Sequence, residues 1–220
     1  RDVGGRTELF VDDWLIGSQE GVELQLNPPQ RREIVLVTDK PWEGRDSAYF
    51  SIFQDGPKYR LYYRGFCPSD LSGDQVTCTA ESTDGVHFVR PELGLIEFQG
   101  SRKNNIVYHG DAAHNFAPFL DGRPGVPPQE RYKALAGVAG RKLYAFASAD
   151  GYRWRKLQEA PVQTDGHFDS LNIAFWDART NGYRCFSRFF GADGVREIQS
   201  STSPDFLHWT RPIPHVYTPG

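Results

Sequence analysis

One short pattern occurs three times in this chain of 220 residues and constrains its fold more than any other feature. Each copy has a serine, any residue, an aspartate, three further residues and an aromatic residue. The copies span residues 82–88, 148–154 and 203–209. An aspartate side chain can bond the backbone of its own tight turn, and the glycine that follows it in the first two copies allows positive φ. The pattern therefore predicts three equivalent hairpin turns, with Phe206 replacing the glycine in the third.

A second pattern precedes each copy of the first. It consists of an apolar stretch that ends in aspartate, followed by a stretch with tyrosine at its second position. Its aspartates are Asp55, Asp121 and Asp177. They are separated by 66 and 56 residues, and the aspartates of the first pattern are separated by 66 and 55. Two independent patterns that share one period indicate an internal repeat.

Each repeat predicts four antiparallel strands, and the repeats cover about residues 46–91, 112–157 and 168–212. Consecutive four-stranded units are typical of a β-propeller. We therefore predict an all-β fold, with three blades in a single domain over residues 1–220. A β-sandwich with coincidentally similar turns is the alternative. Ahead of the repeats, residues 22–37 predict a strand, a turn and a second strand.

The composition agrees with a β-rich protein and gives no sign of a nucleic-acid or membrane partner. Aromatic residues make up 14% of the chain, which favours strands. The formal net charge is −3, whereas nucleic acids and anionic membranes attract basic proteins. No stretch approaches the ~20 apolar residues of a membrane span. No zinc spacing and no glycine-rich phosphate loop occur, so we predict neither a metal nor a cofactor.

The three cysteines, Cys67, Cys78 and Cys185, are an odd number and argue against a full disulfide framework. We interpret them as small buried thiols. A pairing of Cys67 with Cys78 across a hairpin is the alternative.

The ends of the sequence suggest a piece of a longer protein. The chain contains no methionine, and residues 217–220 have the composition of a loop. Three blades by themselves would leave one sheet face open on the first blade and one on the last, together with an unpaired strand edge. Association through these exposed faces is therefore expected for residues 1–220 alone.

Four segments together resemble a known group of proteins. They are residues 8–16 (ELFVDDWLI), 45–49 (RDSAY), 114–121 (HNFAPFLD) and 168–172 (FDSLN). As a set they are similar to uncharacterised bacterial glycoside-hydrolase-like proteins of the five-bladed propeller superfamily, which includes arabinanases, xylosidases, invertases and levansucrases. The resemblance covers essentially the whole chain. It implies a carbohydrate substrate and five blades, of which this sequence holds three.

Glycoside hydrolysis uses two carboxyl groups that flank the scissile bond. By the resemblance, Asp46 at the start of the first blade is the base or nucleophile. Asp169 at the start of the third blade is predicted to orient the substrate and stabilise charge. Glu197, with Arg196 or Arg188 nearby, is a candidate general acid, although a further blade would be an alternative source of that acid. Each aspartate has an ordinary turn or loop role as its alternative.

Other residues at the starts of the blades are candidates for sugar contacts. His114 and Asn115 precede the first strand of the second blade, and both side chains can hydrogen-bond sugar hydroxyls. The acid role, binding of an ion in the channel and an ordinary core or turn position are the alternatives for His114. Arg188 is predicted to contribute to the same site, and Trp42 is predicted to stack on a sugar face or to pack between blades. We expect Asp46, His114 and Asp169 to face one end of a shared channel.

Three functions remain open from the sequence. The first is a glycoside hydrolase that acts by carboxylate chemistry in the propeller channel. The second is a carbohydrate-binding propeller without catalysis, in which the inner carboxylates only accept hydrogen bonds. The third is a scaffold that presents blade edges to a protein partner, which a large exposed apolar patch would favour.

Overall fold

A computed structural model describes residues 4–5, 9, 12–66, 74–138 and 141–216. The chain divides into two compact units, Arg1–Ile34 and Val35–Gly220. The described part of the first unit contains turns and bends but no strand or helix. The two strands predicted within residues 22–37 are wrong, because that segment has no strand and its Leu26 is 87% exposed. An extended segment becomes part of a sheet only when a partner edge binds its backbone groups.

The second unit contains three four-stranded antiparallel sheets, here called blades one, two and three. Blade one consists of β1 (Ala48–Asp55), β2 (Lys58–Arg64), β3 (Val76–Ser82) and β4 (Ile106–His109). Blade two consists of β5 (Ala117–Leu120), β6 (Tyr132–Val138), β7 (Lys142–Ser148) and β8 (Arg155–Lys156). Blade three consists of β9 (Ile173–Asp177), β10 (Gly182–Phe190), β11 (Arg196–Ser203) and β12 (Ile213–Pro214). In each blade the strands pair in chain order.

Helix is nearly absent from the described residues. It is limited to two short 3-10 turns, Asp111–His114 and Pro128–Glu130. Because three antiparallel sheets account for almost all the regular structure, the all-β prediction is confirmed.

The first strands of the three blades lie side by side. β1 contacts β5, and β5 contacts β9. A cavity of about 330 Å³ lies among these strands, with Phe53, Pro118 and Ile173 in its lining. Successive sheets whose first strands meet around a common axis have the arrangement of propeller blades. This arrangement brings residues at the beginnings of the three strands close to one another.

The three copies of the serine–aspartate pattern form the same hydrogen-bonded turn. The serines are Ser82, Ser148 and Ser203. In every copy the serine hydroxyl accepts two backbone N–H groups, and the aspartate Oδ1 accepts two more. The predicted equivalence of the three turns is confirmed.

Phe206 makes the third turn differ in one respect. It has φ 73°, the left-handed conformation that Gly85 and Gly151 adopt with φ 79° in the other copies. A bulky residue is strained there. The Phe206 ring is nevertheless fully buried between blades, against Phe119 and Tyr183. We infer that burial of this ring compensates for the backbone strain.

Aspartate–tyrosine pairs from the second pattern join adjacent blades. Asp55, at the end of β1, accepts a hydrogen bond from the hydroxyl of Tyr132 in blade two at 2.5 Å. Asp121, directly after β5, accepts one from the hydroxyl of Tyr183 in blade three at 2.6 Å. All four side chains are buried. The same contact thus recurs at both interfaces between blades.

Each aspartate of this pattern also pairs with a cation from its own blade. The pairs are Asp55–Arg60 at 2.9 Å, Asp121–Lys133 at 2.5 Å and Asp177–Arg184 at 3.4 Å. The Lys133 side chain is 1% exposed, so its charge depends on partners inside the interface. Asp177, in blade three, has no tyrosine partner among the described residues.

The outer faces of blades one and three differ in how they are covered. On blade one, Trp42, Phe88 and Phe98 from the same unit pack against the cluster that contains Leu61 and Tyr63. On blade three, one face presents four apolar side chains that are 38–69% exposed, namely Ile173, Phe175, Ile198 and Ile213. Segments of the unit itself therefore cover much of the first face, whereas the second is open in this chain.

Two further expectations concern residues that are only partly described. Cys78 and Cys185 are buried free thiols. Cys67 lies outside the described residues, as do residues 217–220, so the alternative pairing of Cys67 with Cys78 lies outside them too. None of the helices in the described ranges is long and apolar enough to cross a membrane.

Candidate functional site

A cavity of about 510 Å³ is lined by residues from all three blades. Blade one contributes Gln75, which precedes β3. Blade two contributes His114, in the 3-10 turn that leads into β5. Blade three contributes Asp169, in the loop before β9, and Arg188, near the end of β10. Loops and strand ends held by a rigid sheet scaffold are common positions for binding residues.

His114 is a half-buried imidazole at the centre of this group. Its Nδ1 lies 2.8 Å from Oε1 of Gln75, and because an amide oxygen only accepts, Nδ1 carries the proton in this geometry. The Arg64 guanidinium lies 3.5 Å from Nε2. Burial and then the positive charge of Arg64 lower the pKa of His114 below its ordinary value. The imidazole is therefore neutral at neutral pH.

Arg64 and Tyr49 connect the start of blade one to the cavity. Arg64 donates two hydrogen bonds to the backbone carbonyl of Asp46, at 2.9 and 3.0 Å. Its guanidinium also lies over the Tyr49 ring, 4.8 Å from the centroid. The Tyr49 hydroxyl donates to the backbone carbonyl of Asp169 at 3.2 Å. The structure thus brings the segments that carry Asp46, His114 and Asp169 together where the first strands begin.

Asp169 supplies a carboxylate to the cavity. Its Oδ1 accepts a hydrogen bond from the Arg188 guanidinium, and its side chain is 51% exposed. Partial burial acts to raise the pKa of Asp169, but the hydrogen bond and charge of Arg188 outweigh this effect and hold the pKa below its ordinary value. The carboxylate is therefore ionised at neutral pH and partly accessible to a ligand.

Asn115 supports the loop that carries Asp169. It is buried, and its Nδ2 donates to the backbone carbonyls of Phe168 and Ser170, while its Oδ1 accepts the N–H of Gly137 at 2.7 Å. Because backbone groups occupy the whole amide, the predicted contact between Asn115 and a sugar is not what the geometry shows. Its role is to fix the loop against blade two.

Three other predicted residues do not line this cavity. The carboxylate of Asp46 is exposed, and the segment is tied to the site through its backbone carbonyl. Glu197, on β11, lines a separate cavity of about 300 Å³ on blade three. Trp42 packs in the outer cluster of blade one and donates through Nε1 to Asn105 at 2.6 Å, so it packs rather than stacks on a ligand here. The chemical roles of Asp46 and Glu197 stay predictions.

Sequence reasoning missed Arg141 in the basic lining of the cavity and considered Arg196 only as a neighbour of Glu197. Arg141, just before β7, and Arg196, the first residue of β11, line it together with the predicted Arg188. They belong to different blades and to no common motif, so spacing alone could not group them. Within the described part of the chain, no group of three or more His, Cys, Asp or Glu side chains could hold a metal ion.

Comparison with known proteins identifies the fold. No known protein family and no curated protein matches the sequence. Among solved structures, a family 117 glycoside hydrolase from the marine bacterium Zobellia galactanivorans is 20% identical, with a TM-score of 0.51 over 81% of this chain and 50% of the other. A thermostable family-43 glycoside hydrolase is 15% identical, with a TM-score of 0.51 over 80% and 55%.

A third match shows that this fold is not restricted to glycoside hydrolases. An N-acetylgalactosamine deacetylase from F. plautii is 13% identical, with a TM-score of 0.50 over 76% of this chain and 52% of that one. The chain spans about half the length of these solved structures. At such identities the likeness concerns the fold, and the chain shares that fold with propeller-type glycoside hydrolases, as its sequence resemblance predicted.

Proposed function

We propose that this chain acts on carbohydrate as a glycoside-hydrolase-like protein, through carboxylate chemistry at the 510 Å³ cavity. The observation that carries the proposal is that the Asp169 carboxylate and neutral His114 line one cavity where the first strands of the blades begin. The volume lies within the ~300–1,000 Å³ range of small-ligand sites. The shared fold supports the proposal, although one fold can host several activities.

The proposed roles follow from the charge states of the groups. Glycoside hydrolysis develops positive charge on the sugar ring in the transition state. The ionised Asp169 would stabilise that charge, with Arg188 holding its carboxylate in place. Asp46 would act as base or nucleophile from the same end of the strands, and Glu197 remains the candidate general acid. His114 would hydrogen-bond sugar hydroxyls in its neutral form.

The substitution Asp169→Asn tests this proposal because it removes the charge and keeps the shape. Hydrolysis of a panel of aryl glycosides and oligosaccharides would be measured, with sugar binding followed by calorimetry. We expect kcat to fall by about 10²–10³-fold, the usual effect of losing one group that stabilises transition-state charge. Sugar affinity should change far less.

Asp165→Asn is the matched control. Asp165 is an exposed aspartate in the segment before β9, and its carboxylate pairs with Arg211 at 2.9 Å. This variant should retain full activity. Sugar binding without any hydrolysis by the unsubstituted chain would instead support the non-catalytic carbohydrate-binding alternative. Absence of both binding and hydrolysis across the panel would contradict the proposal.

A further inference from the structure

The cavity has an excess of positive charge, although the chain as a whole is acidic. Its lining contains three cations, Arg141, Arg188 and Arg196, and two carboxylates, Asp111 and Asp169. The formal net charge of the whole chain is −3. Arg64 adds a further cation beside His114, and its hydrogen bonds go to a neutral backbone carbonyl rather than to a carboxylate. The cavity is therefore a local concentration of cations in an acidic protein.

Two of the three arginines that line the cavity have no ion-pair partner among the described residues. Arg188 is bound to Asp169, but neither Arg141 nor Arg196 forms an ion pair with any described residue, and both are exposed. Arginines elsewhere in the same unit are commonly paired, as Arg60 is with Asp55 at 2.9 Å. The free guanidinium groups at the cavity are thus available to a ligand.

Arg188 also has unused hydrogen-bonding capacity. Its Nε is buried and has no hydrogen-bond partner among the described residues, while its other end holds Asp169. A buried donor without a partner is uncommon in folded proteins and calls for an explanation such as an absent ligand or water.

Guanidinium groups select a particular ligand chemistry. Arginine presents a planar set of N–H donors that matches the oxygens of carboxylates and of sulfate or phosphate groups. A neutral sugar offers hydroxyls, which gain much less from an uncompensated cation. Several arginines at one cavity that also holds a carboxylate and a neutral imidazole therefore suit a sugar that carries a negative substituent.

We propose that the cavity binds an acidic saccharide, with a carboxylate or sulfate substituent held by Arg141 and Arg196 and the sugar ring facing His114 and Asp169. This inference rests on the proposed carbohydrate function and names the substrate class for the same site.

Matched sugars that differ by one group test the inference on the full chain. Calorimetry would compare oligogalacturonate with galactose oligomers of equal length, and galactose 6-sulfate with galactose. We expect at least one acidic probe to bind about tenfold or more tightly than its neutral counterpart, the effect of one charge-assisted hydrogen bond. The preference should weaken as salt is raised from about 0.05 to 0.5 M. Oligogalacturonate carries carboxylates and galactose 6-sulfate carries a sulfate, so the two comparisons show which of these anions the cavity prefers.

Arginine substitutions locate the effect. Arg196→Gln and Arg141→Gln should each lower affinity for the preferred acidic sugar by about tenfold and change neutral-sugar affinity less than about twofold. Arg102→Gln is the control, since Arg102 is an exposed arginine of blade one outside the cavity lining. An equal loss in this control would show non-specific attraction and overturn the inference.

The remaining outcomes separate this inference from the proposed function. Equal affinity for acidic and neutral sugars would overturn the inference and leave the carbohydrate function standing. Hydrolysis of neutral glycosides with no acidic preference would do the same. Failure to bind any sugar would overturn both.

Discussion

Asp121 is the most deeply buried of the three repeated aspartates, and it joins blade two to blade three. In Asp121→Ala, Lys133 would lose its nearer carboxylate, at 2.5 Å, and keep only the Glu130 carboxylate, at 3.5 Å. Removing one partner of a buried ion pair costs up to about 3–5 kcal/mol, and the more exposed Glu130 offsets only part of that cost. The Tyr183 hydroxyl would lose its 2.6 Å hydrogen bond in the same change, but the two losses belong to one network and do not simply add.

Asp177→Ala is the matched control from blade three. Asp177 occupies the position in blade three that Asp121 occupies in blade two. Each aspartate accepts a backbone N–H within its own turn, Asp121 from Arg123 at 2.9 Å and Asp177 from Arg179 at 3.1 Å. Asp177 differs because its cation, Arg184, lies 3.4 Å away with 27% of its side chain exposed. Exposed ion pairs contribute little to stability, so this variant should be affected much less.

Urea unfolding followed by circular dichroism and fluorescence measures the difference as a shift in midpoint at constant slope. A loss of that size is a large part of the usual ~5–15 kcal/mol of a domain, so a second variant is needed in case Asp121→Ala does not fold. The double variant Asp121→Leu with Lys133→Met covers that case. It removes both charges and should recover much of the lost stability. Equal losses for Asp121→Ala and Asp177→Ala would refute the reasoning.

Three further predictions concern the turns, acid stability and the open face of blade three. Phe206→Ala should lower the free energy of unfolding by about 3–5 kcal/mol. The loss in Phe206→Gly should be smaller by about 1 kcal/mol, because glycine tolerates the left-handed backbone, and urea titration of both variants checks this order. Burial acts to raise the pKa of Asp55, but the Tyr132 hydroxyl and nearby arginines outweigh burial and lower that pKa. The contribution of Asp55 to stability should therefore be complete above the ordinary carboxyl pKa and be lost as pH falls below about 4. Asp55→Asn should show a flatter pH dependence of the unfolding free energy, and an unchanged slope would contradict this. Self-association of the chain, measured by sedimentation, should weaken in Ile198→Lys and persist in the control Val195→Lys, which lies between β10 and β11.

The site shows how far sequence reasoning reaches. His114 and Asp169 are predicted from their places at the starts of blades and Arg188 as a neighbour of Glu197, and all three line one cavity. Arg141 was missed because it belongs to no motif, and Arg196 is predicted only as a neighbour of Glu197. Residues distant in sequence become neighbours only through the packing of whole sheets, which a linear pattern does not encode.

Trp42 and Asn115 show what the sequence leaves open. Both have side chains suited to sugars, and the sequence cannot show that these groups are already occupied. In the fold, Trp42 donates to Asn105 within blade one, and Asn115 binds backbone groups of the Asp169 loop and of β6. A polar side chain that is buried must find partners inside the protein, and tertiary structure decides which side chains are buried.

The sequence by itself determined the features that depend on residues close together in the chain. The turns at Ser82, Ser148 and Ser203 are held by hydrogen bonds across two or three residues, so the pattern specifies them directly, and with them the antiparallel strands on either side. Only the tertiary structure decided that the aspartate of one repeat binds the tyrosine of the next. It also decided that residues 22–37 form no strand. Pairing between repeats and between strands depends on which surfaces meet, and local chain chemistry leaves that open.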